Sequence, residues 1–163
     1  MQTVTSRFRA FVALLVVALA ITFLPTGSWG ATAQAATSYA NRYSVVQTAR
    51  KYMGRPYVFG AAGPRYFDCS GLTRYVFRLH GYYLPHSAAS QARYGRSVPK
   101  YGWRYGDLIF FRNTYKYGIS HVGIYAGNGR MVHAWPRGGV RVDSFTRISY
   151  FTRRYAGARR ILR

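Results

Sequence analysis

The apolar residues of this chain change period once, from helical spacing before Gly95 to alternation after Asp107, and that change leaves few folds open. In residues 44–53, Val45, Val46, Ala49 and Tyr52 share one helical face, and Gly54 with Pro56 ends the run. Asp68 stands where an N-cap should, ahead of Cys69, Leu72, Val76 and Leu79, so a second helix is predicted from Cys69 to Gly81. Pro85-His86-Ser87 opens a short third helix with Ser87 as its cap, ending by Gly95. Strands are predicted at 107–112, 119–126, 130–135, 140–142 and 158–162, with turn residues between them. Helices first and strands second, joined by hairpin-length links, predict an α+β domain with N-terminal helices packed on an antiparallel β-sheet.

Residues 1–35 read as a secretory signal peptide. Arg7 and Arg9 precede an apolar run over residues 10–24, and Ala33-Gln34-Ala35 offers a cleavage site after Ala35. The fifteen-residue run is shorter than the roughly 17 to 25 residues a membrane-spanning helix needs. An uncleaved anchor is the alternative; a lipoprotein is not, because no cysteine follows the run directly. Residues 36–163, about 128 residues, then form a single domain, exported and extracellular or wall-associated. Without Arg7 and Arg9 this part holds 22 basic residues against Asp68, Asp107 and Asp143, a charge of +19, and it has no glutamate. Such an imbalance predicts a polyanionic partner, and outside a cell nucleic acid is not expected to be it. One cysteine cannot make an internal disulfide, so Cys69 is either a reactive thiol or a small buried apolar residue.

At the first turn of a helix, a sulfur lies near unpaired N–H groups and the positive end of the helix dipole, which favour thiolate over thiol. A thiolate nucleophile still needs a proton carrier, and imidazole suits that task near neutrality. In residues 119–126, Val122, Ile124 and Ala126 form a core face while His121 lies on the other; in the next strand Met131, His133 and Trp135 lie opposite Val132 and Ala134. A two-residue Asn128-Gly129 turn would put the histidines on different faces. A three-residue loop, a type I turn closed by Gly129 in the left-handed region, pairs Ala126 with Arg130, Gly123 with His133 and His121 with Trp135. In that register the imidazoles are diagonal neighbours, and Gly123 leaves room for His133 to reach His121. Zinc held by Cys69, His121 and His133 is an alternative, although no short ligand pairing such as HExxH or CxxC occurs. His80 and His86, at a helix end and a helix start, read as surface or capping residues.

Tyr57-Val58-Phe59-Gly60, Phe67-Asp68-Cys69-Ser70-Gly71-Leu72, Gly106-Asp107-Leu108-Ile109-Phe110-Phe111, His121-Val122-Gly123-Ile124-Tyr125 and His133-Ala134 closely resemble, in that order, the NlpC/P60 family. The resemblance runs from about Arg42 to the C-terminus and makes 36–163 a catalytic domain. It implies a papain-like fold and a cysteine peptidase hydrolysing the D-γ-glutamyl–diamino acid bond of peptidoglycan stems, with no cofactor. It further implies Cys69 as nucleophile, His121 as base and acid, His133 as its orienter, and Tyr57, Asp68 and Ser70 as pocket-lining residues. The backbone N–H of Cys69 would form part of an oxyanion hole. Peptidoglycan is then the partner, with anionic wall polymers such as teichoic acids a further one, for a monomeric enzyme. Phe59, Ala61 and His86 depart from the tryptophan, glycine and arginine usual at these places. Two other readings compete: a non-catalytic cationic protein that binds walls or membranes, and an acyltransferase or amidase on a related fold.

Overall fold

The computed structural model describes residues 29–162. Two compact units divide the chain, Met1–Ala35 and Ala36–Arg163; of the first, only the start of a helix at residues 29–35 is described, and the apolar run at 10–24 lies outside the described residues. No described helix is long and apolar enough to cross a membrane.

Helix α1 spans Trp29–Arg50, α2 Cys69–Leu79 and α3 Ala88–Gln91. The first is longer at its N-terminal end than apolar spacing predicts, because the residues before Ser44 are alanine-rich helix formers with no apolar stripe to reveal them. Asp68 caps α2 by accepting from the Gly71 N–H, and Ser87 caps α3 from the Ser90 N–H, both as predicted. Such a cap is worth about 1 kcal/mol. On α2 the stripe Leu72, Val76 and Phe77 is buried, while Arg74 and Arg78 lie outside it.

Six strands follow: β1 Arg96–Val98, β2 Leu108–Arg112, β3 Ile119–Tyr125, β4 Arg130–Trp135, β5 Gly139–Ser144 and β6 Tyr155–Arg160, with a short helix, α4 Ser149–Thr152, before the last. They form one antiparallel sheet in the order β1-β6-β2-β3-β4-β5, so the fold is α+β. β1 and α4 have no periodicity long enough to announce them, and β6 begins three residues earlier than predicted, where Tyr155 pairs with Phe111.

The sheet is buried on both faces. Leu108, Phe110, Val122, Ile124 and Val132 pack in one cluster with α1 and α2, whereas Ile109, Phe111 and Met131 join Phe145 and Phe151 in a second. The histidine face of β3 and β4 is therefore a second core rather than an open surface. Its cover comes from residues 145–151, whose phenylalanines show no strand or helix period in the sequence.

The hairpin between β3 and β4 has the register expected of a three-residue loop, with Ile124 opposite Val132 and Tyr125 opposite Met131. The turn itself differs from expectation. Asn128 and Gly129 both have positive φ, 52° and 67°, and the Arg130 N–H donates to the Gly127 carbonyl, the pattern of a two-residue type I′ turn. Gly127, at φ 84°, is the extra residue that returns the pairing to Ala126 and Arg130, whose N–H and carbonyl meet at 2.9 Å.

Candidate active site

Cys69 is the first residue of α2 and is buried. The β3–β4 ladder is paired at Ile124 and Tyr125, and beyond it the sulfur meets the backbone of β3, 3.9 Å from the Ser120 carbonyl and within reach of the Val122 N–H. The nucleophile candidate thus touches the residues on either side of His121. Burial pushes the thiol up to about 11, and the negative charge of Asp68 adds to it, outweighing the N–H groups of Val122, Ser70 and Cys69 that favour thiolate. The helix start alone predicts a thiolate; in the resting chain desolvation wins and Cys69 keeps its proton.

His121 and His133 share one face, with His121 Nε2 2.8 Å from His133 Nδ1. His133 Nε2 in turn lies 3.1 Å from Asp143 Oδ2. A carboxylate only accepts, so direction is set from Asp143 inward: His133 Nε2–H donates to Asp143, and His121 Nε2–H donates to the bare His133 Nδ1. That leaves His121 Nδ1 unprotonated, ready to take a proton. Arg141 Nε and Nη2 hold the other oxygen of Asp143 at 3.0 and 2.8 Å, fixing the outer end of the chain. His121 is 3 % exposed and His133 0 %, enclosed by Phe111, Trp135 and Phe151. Burial, then the neighbouring His133, holds His121 well below the usual imidazole range; burial lowers His133 too, against the opposing pull of Asp143. Both rings are neutral at pH 7. Gly123 makes the meeting possible, since a Cβ there would stand 2.7 Å from Met131 Sδ and 3.2 Å from His133 Cβ.

Asp68 organises the adjoining cleft. Its Oδ1 accepts from the Gly71 N–H at 2.6 Å and the Ser70 hydroxyl at 3.1 Å; its Oδ2 accepts from the Gly60 N–H and lies 2.9 Å from His86 Nε2. Ser70 and Asp68 line this cleft together with Phe59 and with Tyr115 and Lys116 of the β2–β3 loop, and the Phe59 and Tyr115 rings meet edge to face at 5.9 Å. Tyr57 is half-buried, and desolvation followed by the charges of Cys69 and Asp68 raises its hydroxyl, so it is a phenol close to the sulfur.

The surface or capping role expected of His86 is corrected: it stands in the cleft on Asp68. Gln91 explains why, since its buried amide donates to the Ser70 and Pro85 carbonyls and ties the segment before α3 to α2. His80 is the C-cap residue of α2 and bonds Thr48 Oγ1. Sequence reasoning also missed Asp143, because it ended the strand at Val142, two residues before β5 ends at Ser144; the alternation Val140-Arg141-Val142-Asp143 was the available signal. Among the described residues no group of three His, Cys, Asp or Glu side chains could hold a metal ion.

Residues 54–160 match the sequence profile of the NlpC/P60 family. A γ-DL-glutamyl hydrolase of Bacillus subtilis is 48% identical over 118 residues, 71% of this chain and 28% of that protein. A probable endopeptidase p60 of Listeria innocua is 42% identical over 62% of this chain and 21% of its own length. The chain thus spans less than a third of these two relatives. Among solved structures, an NlpC/P60 family protein from Bacillus cereus superposes with a TM-score of 0.70 at 33% identity, over 75% of this chain and 40% of that one. The peptidoglycan hydrolase RipB from Mycobacterium tuberculosis gives 0.65 at 29% identity, over 78% and 68%.

Proposed function

The chain belongs to the NlpC/P60 family, and from that footing we propose that it is a secreted peptidoglycan endopeptidase that hydrolyses stem-peptide amides, the D-γ-glutamyl–diamino acid bond in particular. The observation that carries this reading is the hydrogen-bonded series Asp143–His133–His121 beside a buried cysteine at a helix start.

In the proposed reaction Cys69 and His121 begin uncharged. As Sγ attacks the scissile carbonyl, its proton passes to His121 Nδ1, and the oxyanion forms near the backbone N–H groups that open α2. His133, itself held by Asp143, stabilises the imidazolium so created. The tetrahedral adduct collapses to a thioester, and His121 gives the proton to the departing amine. Water, deprotonated by His121, then cleaves the thioester, and the proton returns to Cys69. Tyr57 and Ser70 line the acyl side and Asp68 fixes their surroundings.

The residues before Ala36 act as the export signal in this reading. The cationic remainder would concentrate the enzyme on wall polyanions such as teichoic acids. Digestion of diaminopimelate-type peptidoglycan, with mass spectrometry of the fragments, tests the activity. Release of products ending in D-γ-glutamate by wild type, and none by Cys69→Ala, is expected. Equal release by both would remove Cys69 from the mechanism, and none by wild type would favour the cationic binding protein.

A further inference from the structure

Two hollows meet at the turn that follows β5, and neither shares a lining residue with the cleft beside Cys69. The first holds about 340 Å³, within the roughly 300–1,000 Å³ of small-ligand pockets, and is lined by Asn128, Arg130, Ser144 and Arg147. Arg130 opens β4 directly opposite Ser144 of β5, so the two side chains stand together on one face. Among the described residues neither the Arg130 nor the Arg147 guanidinium has a hydrogen bond or an ion pair. The chain has no glutamate, and its three aspartates are engaged elsewhere, Asp107 by Arg160 and Arg42, Asp143 by His133 and Arg141, and Asp68 by His86. Two cations at one hollow, with a hydroxyl and an amide beside them and no carboxylate to neutralise them, make a seat for an oxyanion.

The second hollow, about 60 Å³, is too shallow to enclose a sugar ring and offers an aromatic face instead. Trp103 is fixed there by its Nε1–H on the Tyr155 hydroxyl at 3.0 Å and by Phe145, the ring centroids 4.9 Å apart. Tyr101 extends the face, 5.3 Å from Trp103 and 75 % exposed, on a backbone φ of 70°, a left-handed conformation that is costly for a bulky residue. Lys100 brings a further cation to the same hollow. Thr146 lines this hollow and Ser144 the first, and their hydroxyls reach one carbonyl, that of Gly129, at 3.5 and 3.4 Å, so the two hollows share a rim.

We propose that this end of the sheet is a binding site for an anionic wall polymer of phosphodiester-linked, sugar-bearing repeats, with a phosphate between Arg130 and Arg147 and a sugar ring on Tyr101 and Trp103. The proposal rests on the wall-binding part of the proposed function and gives it a place. A phosphodiester offers oxygens to both guanidiniums at once. The C–H face of a sugar leaves water against the two aromatic rings, while its hydroxyls stay solvated. Cations on either side of an aromatic face match a chain in which phosphate and sugar alternate.

The test is calorimetric titration of the protein, at one ionic strength, with purified poly(glycerol phosphate) bearing sugar substituents and with the same polymer stripped of its sugars. Arg130→Gln combined with Arg147→Gln should weaken binding of both polymers by about tenfold or more, the worth of one charged hydrogen bond. Arg74→Gln combined with Arg78→Gln removes the same two charges from the exposed side of α2, and should weaken it by no more than about twofold. Tyr101→Ala should weaken only the sugar-bearing polymer, by about threefold or more. Every changed residue is exposed, and Arg147→Gln alone serves if the double variant has a lowered Tm. Equal losses in the two double variants would make binding a property of net charge and overturn the site, leaving the wall-binding reading in place. A Tyr101→Ala variant that binds both polymers like wild type overturns the aromatic seat. A single-stranded oligonucleotide of equal charge that binds as tightly as the sugar-bearing polymer overturns the choice of partner. Wild type that binds neither polymer overturns the inference together with the wall-binding reading; hydrolysis of stem peptides is a separate measurement.

Discussion

In the proposed cycle, Cys69 and His121 hold their charges apart until substrate arrives. The thiol is raised to about 11 and the imidazole lies well below 6.5, so the pair at rest is thiol and neutral base. Alkylation by iodoacetamide at pH 8 should therefore be slower in the folded protein than in the unfolded chain, whose free cysteine titrates near about 8.5. A folded thiol that titrates below that value would mean that His121 already holds its proton. The acid side of the kcat/KM profile follows His121, which must be neutral to accept. Activity should persist on lowering the pH to 6.5 and fall only beyond it. Cys69→Ala should lower kcat by roughly a thousandfold or more, and His133→Ala by less. Asp143→Asn keeps its amide oxygen on Arg141 and turns an N–H donor toward His133 Nε2, which upsets both tautomers, so it should lower kcat by at least roughly tenfold with little change in KM. An Asn variant with wild-type kcat would leave Asp143 a purely structural residue.

At the scale of elements, the site depends on two close approaches. The first turn of α2 lies so near Ala61 that a Cβ on Gly71 would run into its carbonyl oxygen, and backbone cannot swing aside as a side-chain tip can. Gly71→Ala should cost about 1–3 kcal/mol and lower Tm by several degrees in calorimetry. An unchanged Tm would show that the 61–62 loop yields freely. The second approach is β3 on β4 at Gly123, where alanine would press on His133 and Met131. There the expected loss is of activity as well as of stability. The histidine register was legible in the sequence because alternation and a glycine-rich loop allow two pairings, only one of which puts both imidazoles on one face. The turn that achieves it, a type I′ pair plus one bulged glycine, depends on backbone dihedrals that residue types leave open.

For the whole molecule, acid stability follows the buried imidazoles. Folding lowers the affinity of His121 and His133 for protons relative to the unfolded chain, so below 6.5 the unfolded state binds more protons and stability falls with pH. Each can contribute up to about 1.4 kcal/mol per pH unit. Asp143 acts in a lower window: its folded value is below 3.8, so it stabilises above that pH and its contribution is lost only on further acidification. Thermal unfolding from pH 7 to 5 should show a falling Tm, and a flat profile would mean that the histidines are not shielded. In the proposed function, wall affinity would come from the exposed cationic residues, whose charges are screened beyond roughly 8 Å at physiological ionic strength. Wild type and Cys69→Ala should bind walls alike and lose binding alike as salt rises.

Local rules were enough for the α+β class, the capped helix starting at Cys69, the strands bearing His121 and His133, and the cationic balance. Each rests on spacing or residue type within a few positions, which the chain displays before it folds. Tertiary structure alone decided that Phe145 and Phe151 cover the histidine face, that Gln91 draws His86 onto Asp68, and that Asp143 closes the hydrogen-bond series. It decided the charge of Cys69 as well. A helix start favours the thiolate through groups one turn away, whereas desolvation is imposed by packing against a strand some fifty residues further on, and no local pattern records that contact.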